Sequence, residues 1–198
     1  AQRRVILLIF RYRDKNDRSG FLESIRTMSG SGSALVSGLT GCPARWLGLG
    51  LAVIVFLADQ ASKVGMRALL PDSTSRITVL PVFDLVHAWN YGVSFSMFAA
   101  GGEGRRLALI AVMLAIGGAV GWWLYKSDRH LPALAYGLIL GGALGNVCDR
   151  VLHGAVFDFL YFHLAGYGWP AFNLADSAIV LGVGLLLLDG IRPAEKRS

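Results

Sequence analysis

Leu107-Ala108-Leu109-Ile110-Ala111-Val112-Met113-Leu114-Ala115-Ile116-Gly117-Gly118-Ala119-Val120-Gly121-Trp122-Trp123-Leu124-Tyr125 runs for nineteen residues without a charge. As a helix it rises about 28 Å, close to the ~30 Å hydrocarbon core of a bilayer. Residues 131–148 form a second uncharged run, which ends against Asp149-Arg150. A third begins at Trp46 and carries Asp59 near one end, and a fourth begins around Phe172, passes Asp176 early and continues to Leu188. The spacing predicts an all-α membrane protein with four transmembrane helices, at about 46–66, 105–125, 131–149 and 172–190. Glycines recur inside these runs (Gly117, Gly118, Gly121, Gly141, Gly142, Gly145, Gly182, Gly184). In lipid such small residues let helix backbones approach closely.

Hydrophobic residues make up 54% of the 198 and charged residues 16%, with a mean hydropathy of +0.52. Soluble domains are roughly 45–50% apolar and about 25% charged, so the balance argues against an ordinary soluble enzyme, a disordered chain or a disulfide-stapled one. Nineteen Lys and Arg against thirteen Asp and Glu give +6. The cations lie mostly outside the apolar runs, which points to membrane lipid as partner and not to nucleic acid.

Thirteen of those nineteen cations precede the first span, sit in the 126–130 loop, or follow the fourth span. The positive-inside rule then puts both termini in the cytoplasm, with 191–198 as a cytoplasmic tail and the longer connections facing outward. Residues 1–44 read as a cytoplasmic N-terminal extension. Met28 looks like a natural start, which makes 1–27 a foreign or start-site extension set aside from the fold. Leu39-Thr40-Gly41-Cys42 resembles a lipoprotein cleavage box, but the run before it lacks a basic start and a strong apolar core. Cys42 therefore reads as a free thiol, and Cys148 is expected at the other membrane face, too far away to bridge.

The outer segment, 67–104, contains Arg76-Ile77-Thr78-Val79-Leu80 and Val82-Phe83-Asp84-Leu85-Val86, broken by Pro81. These predict two short strands in a small outer β-sheet. Phe95, Met97 and Phe98 follow as an interfacial apolar segment.

Ionisable groups at membrane depth raise a functional question by default. Asp59, Asp149, Asp158 and Asp176 all fall near the expected outer ends of spans, and their convergence on one level is the central feature of the sequence. Asp59 has Lys63 one turn on, the spacing of an intrahelical ion pair. Arg150 follows Asp149 but does not share its helix face, so it is expected to reach another carboxylate or the lipid headgroups. Asp189 has Arg192 three residues on and reads as a boundary charge. Asp158 lies among Val156, Phe157, Phe159, Leu160, Tyr161 and Phe162, and Asp176 lies one turn into an apolar helix; neither has a cationic partner close in sequence. Two such carboxyls in a low-dielectric site share a proton, the chemistry of an aspartic protease. The structural alternatives are that Asp176 caps its helix and Asp158 faces water.

Other catalytic patterns fail. There is no HExxH, and His87, His130, His153 and His163 lack metal-ligand spacing, so no metal and no cofactor is expected. Gly92-Val93-Ser94-Phe95-Ser96 lacks the closing glycine of a nucleophile elbow. Trp122, Trp123 and Tyr125 read as belt residues at the membrane boundary. A proton-coupled transporter or channel using the four carboxylates as a relay is the rival from another class. It wants carboxylates at the midplane and repeated halves, and the sequence shows neither.

Five blocks, in order, carry a resemblance. They are Asp59-Gln60-Ala61-Ser62-Lys63, Asn90-Tyr91-Gly92-Val93-Ser94-Phe95-Ser96, Gly141-Gly142-Ala143-Leu144-Gly145-Asn146-Val147-Cys148-Asp149-Arg150, Val156-Phe157-Asp158-Phe159, and Trp169-Pro170-Ala171-Phe172-Asn173-Leu174-Ala175-Asp176-Ser177-Ala178-Ile179. Together they resemble the lipoprotein signal peptidases (signal peptidase II), bacterial aspartic proteases of the inner membrane, over about residues 45–190. Ser94 stands where that family usually has Ala, and 1–44 has no counterpart. The resemblance implies that Asp158 and Asp176 are catalytic and that the substrate is a diacylglyceryl-modified prolipoprotein cut before its lipidated cysteine. It also implies that Asn90, Asn146, Arg150 and Asn173 bind substrate or hold the carboxylates, with Asp59, Lys63 and Asp149 supporting the site. A monomer is the simplest expected state.

Overall fold

The structure, a computed structural model, describes residues 43–92 and 102–191. Expectations about 1–42, about Ser94, Phe95, Met97 and Phe98, and about 192–198 lie outside the described residues. The elements run α1 (Ala44–Leu69), β1 (Arg76–Leu80), β2 (Phe83–Asn90), α2 (Gly102–Lys126), α3 (His130–His153), β3 (Val156–Leu164), β4 (Tyr167–Gly168) and α4 (Leu174–Gly190). Three helices, α1, α2 and α3, are long and apolar enough to cross a membrane. The 17 residues of α4 rise about 26 Å, at the short end of the spanning range.

α3 is the hub, packed against α1, α4 and α2. Its glycines explain the closeness. A Cβ on Gly137 would strike the Gly48 carbonyl of α1, one on Gly141 the Ala52 carbonyl, and one on Gly142 the Ala175 carbonyl of α4. In lipid, helices gain little from hiding apolar surface, so close backbone approach supplies the packing. The same role does not extend to every glycine expected to serve it, because Gly118, Gly121 and Gly184 face open space among the described residues. The outward faces carry large apolar side chains such as Ile54, Leu57, Ile116 and Val180, as lipid contact requires.

α1 rises about 39 Å over its 26 residues, more than a bilayer core needs. Its last turns continue past Asp59 and meet the sheet, where Met66 and Leu70 pack with Phe157, Phe159, Leu85 and Trp89.

The sheet is larger than the two strands expected. It has four antiparallel strands in the order β1-β2-β3-β4. β2 runs on to Asn90, and β3 and β4 come from the connection after α3. The near-continuous apolar run 156–162 hides the period-two alternation that marks a strand, because β3 is covered on both faces at its start. α3 stops at Gly154, whose φ of 79° is left-handed, and this turn sends the chain directly into β3. Asp84 is fully buried between β1 and β3, paired with Arg76 and, at 2.7 Å, with His163. That pairing pins three strands together.

At the other end of the bundle Asp189 accepts a two-toothed contact from Arg129, at 2.7 and 2.8 Å. That guanidinium comes from the α2–α3 turn; Arg192, the neighbour in sequence, lies outside the described residues.

Candidate active site

The site forms where the C-terminal end of α3, the start of β3 and the N-terminus of α4 meet. Asp158 is the third residue of β3 and is paired across the ladder with Ala88, while Asn90, two residues along on the same face, is paired with Val156. A diagonal neighbour on a shared face lies within side-chain reach, and Asn90 Nδ2 donates to Asp158 Oδ2 at 3.0 Å. Nothing in the local sequence marks Asp158 as a strand residue.

Asp176 reaches the same place from a helix. Asn173 is the N-cap of α4 and Asp176 its N3 residue, and the two form a capping box. Asn173 Oδ1 accepts from the Asp176 N–H at 3.0 Å, and Asp176 Oδ2 accepts from the Asn173 N–H at 3.3 Å. With its oxygen committed to the cap, the Asn173 amide nitrogen points the other way and donates to Asp158 Oδ1 at 2.7 Å. Asn146, about two turns from the end of α3, donates from Nδ2 to Asp176 Oδ1 at 2.7 Å, and its own Oδ1 lies 3.2 Å from Asn173 Nδ2. The carboxylates are thus joined through two amides, Asp158–Asn173–Asn146–Asp176. Both of Asp158's oxygens accept from neutral donors, and the helix-cap role considered for Asp176 occupies one oxygen of that side chain.

Next to the amides lies a buried ionic cluster. The Lys63 ammonium, fully buried, sits 2.8 Å from Asp59 Oδ2, 3.0 Å from Asp149 Oδ2 and 3.2 Å from Asn146 Oδ1. The Asp59–Lys63 pair is the intrahelical one expected from its spacing; Asp149 as its third member is a product of folding. Remaining lone pairs are filled by backbone. Asp59 Oδ1 accepts from Ala175 N–H at 2.9 Å, and Asp149 Oδ2 from Phe157 N–H at 3.1 Å. A buried ion pair is tolerable only when its spare acceptors are satisfied in this way. Lys63 also fixes which way Asn146 faces: its oxygen must point to the ammonium, so its nitrogen must point to Asp176.

Gln60 was quoted in the first block without a role. Its Nε2 lies 3.2 Å from Asp59 Oδ2, Asp149 Oδ1 and the Gly145 carbonyl, tying α1 to α3. Gly145 was read only as a packing glycine, yet its Cα hydrogen faces the Asp59 carboxylate, where a Cβ would come within 2.5 Å of Oδ2. The sequence signal for both was their place inside blocks that also hold the charges.

Arg150 departs from expectation. Its guanidinium donates to the Asn146 carbonyl and to Met113 Sδ, both at 3.3 Å, and among the described residues it makes no direct contact with a carboxylate. Its charge still acts on Asp176 and Asp158 through space.

Asp158 is almost completely buried. Burial lifts its carboxyl to about 6; Asp176's charge adds to the rise, while the Asn90 and Asn173 amides and Lys63 oppose it. At neutral pH such a group exchanges its proton readily, as a general acid or base must. A cleft of about 450 Å³ opens over it, lined by Ala88, Asn90, Gly92, Asp158, Pro170 and Ala171 among others.

Residues 51–192 match the model of a protein family described as signal peptidase (SPase) II. Among curated relatives, the lipoprotein signal peptidase of Aeromonas hydrophila is 44% identical over 156 residues, covering 78% of this chain and 92% of that protein. The lipoprotein signal peptidase of Vibrio vulnificus is 40% identical over 179 residues, covering 85% and 99%. A solved bacterial membrane enzyme, determined by the in meso method at 1.9 Å resolution, superposes with a TM-score of 0.66 at 26% identity over 75% of this chain and 94% of that one.

Proposed function

This chain belongs to the signal peptidase II family, and we propose that it removes the signal peptide from diacylglyceryl-modified prolipoproteins, with Asp158 and Asp176 as its catalytic pair. The observation that supports the pair is the amide bridge through Asn173 and Asn146, which couples one carboxyl from a strand to one from a helix beside an open cleft. Asp158, with its raised pKa, carries the shared proton; Asp176, held by one amide N–H and one backbone N–H, is the carboxylate.

The ionised partner takes a proton from water, and the water oxygen attacks the scissile carbonyl carbon while the protonated partner donates to the carbonyl oxygen. Collapse of the tetrahedral intermediate breaks the C–N bond, and the proton taken from water passes to the departing amine. The two products are the signal peptide's new carboxyl terminus and the amino group of the lipidated cysteine. Asn90 and Asn173 hold Asp158, Asn146 holds Asp176, and Lys63, itself held by Asp59 and Asp149, keeps the Asn146 amide aimed. Arg150 adds positive potential beside both carboxyls.

We place residues 45–190 in one membrane-embedded peptidase domain of a bacterial inner membrane. Both termini and the Arg129–Asp189 end lie in the cytoplasm by the positive-inside rule, with the cleft at the outer face. The domain acts as a monomer. Nothing favours the proton-coupled transporter, because the family is a protease family and the carboxylates gather at one end of the bundle.

The test is to incubate purified protein, with chelator present, with a diacylglyceryl precursor and with its unlipidated form. Cleavage of the lipidated precursor alone, before the cysteine, is the expected result. Equal cleavage of both, or cleavage of neither, overturns the assignment.

A further inference from the structure

Two neighbouring hairpin turns at one end of the sheet lack the polar chemistry that water-facing turns use. The β1–β2 turn is Leu80-Pro81-Val82-Phe83, and the β3–β4 turn is Leu164-Ala165-Gly166-Tyr167, in register as Leu80↔Phe83 and Leu164↔Tyr167. The second is a two-residue loop with φ of 49° at Ala165 and 85° at Gly166, the left-handed pair that Asn-Gly or Asp-Gly normally fills. Here alanine accepts that backbone and brings no polar side chain. The two turns touch through the His163 N–H, which donates to the Val82 carbonyl at 2.9 Å. Residues 79–83 and 164–173 contain no charge.

The large side chains at this tip point outward. Tyr167 is 85% exposed, Trp169 70% and Leu164 69%, and Leu80, Val82 and Phe162 extend the same patch. A contiguous apolar patch of this kind marks a contact surface, and its aromatic content suits the membrane–water interface. Chain continuity identifies the occupant. Trp169 is five residues and Tyr167 seven residues from Leu174, where α4 starts, so they lie at most about 18 and about 25 Å from the point where the chain enters the bilayer. The strand backbone is paired within the sheet, so the turns can enter the interfacial zone without leaving whole strands unsatisfied.

We propose that these two turns and Trp169 dip into the interfacial region of the leaflet from which α4 starts, anchoring the far end of the sheet whose near end carries Asp158. This rests on the membrane spans and not on the peptidase reading.

The experiment replaces Cys42 and Cys148 by serine and alanine, introduces single cysteines in place of Leu164, Tyr167, Asp72 and Val180, and labels each with a nitroxide in lipid bilayers. Asp72, exposed before β1, reports water, and Val180, on the outward face of α4, reports lipid. The expected result is an oxygen-to-nickel accessibility ratio at 164 and 167 several-fold above that at 72 and approaching that at 180. Ratios at 164 and 167 equal to that at 72 overturn the proposal. Should the cysteine-free protein fail to fold, quenching by brominated lipid is compared between the unaltered chain and Trp169→Phe. A quenched component lost in the variant supports insertion, and identical quenching overturns it.

Discussion

Asn173 holds Asp158 from the first turn of a different element: its side-chain nitrogen donates to Asp158 Oδ1 at 2.7 Å while its side-chain oxygen caps α4. One residue thereby serves both helix start and carboxylate. Asn173→Asp separates the two roles. A carboxylate caps as well as an amide, so the start of α4 is kept, whereas the donor to Asp158 becomes a buried like charge. Precursor cleavage should fall at least about 100-fold. A variant that cleaves normally would show that this contact is only a cap.

Asp158→Asn and Asp176→Asn are each expected to leave a folded, membrane-inserted protein with cleavage reduced on the order of 10³-fold or more, as for single losses from a group acting as a unit. Helical circular dichroism in detergent checks the fold, and conversion of a diacylglyceryl precursor reads the activity. Near-normal rates in either variant count against the pair.

The Asp158 carboxyl, at about 6, is the proton carrier in the mechanism above. Activity should therefore decline as pH rises through its ionisation, seen as an alkaline limb in kcat/KM for the free enzyme; the limb belongs to the coupled pair. Asn90 donates to this carboxyl and favours its charged form. Asn90→Ala removes that donor, the pKa rises further, and the limb moves to higher pH by roughly half to one unit. A limb that stays put or moves lower contradicts the assignment.

Lys63→Met strips the cation from Asp59 and Asp149 and leaves two buried carboxylates unpaired. Such a loss costs about 3–5 kcal/mol, enough to lower the unfolding midpoint in detergent sharply. Gly145→Ala presses a Cβ against the Asp59 carboxylate and is expected to cost about 1–3 kcal/mol. The two changes act on one cluster, so the double variant should lose less than the two single losses combined.

Arg129→Ala tests the opposite end. Asp189 lies thirteen residues beyond Asp176 on α4, about 20 Å away along the axis, and the Arg129 side chain is partly exposed. Asp189 itself is buried, so the loss is expected to cost about 1–3 kcal/mol. Precursor cleavage should be unchanged and the unfolding midpoint lower.

Much of this protein is written in its local sequence. Uncharged runs about a bilayer long can only be helices in lipid, because every backbone group must be satisfied within the segment. Ion-pair spacing such as Asp59–Lys63 is likewise fixed by one helical turn. Asp158 and Asp176 stood out as well, since partnerless acids inside apolar sequence have few reasons to be there; the asparagines entered only through the family resemblance.

Contacts between elements were not legible. Asp158 lies on a strand because α3 ends at Gly154 and the following run finds β2 beside it; the side chains alone, apolar on both faces, carry no period that says so. That Asp149 joins Lys63, that Arg129 takes Asp189, and that Asn146 and Asn173 face opposite ways depends on which lone pairs the packed helices leave open. An amide has two ends, and only the three-dimensional arrangement of its neighbours decides which end donates.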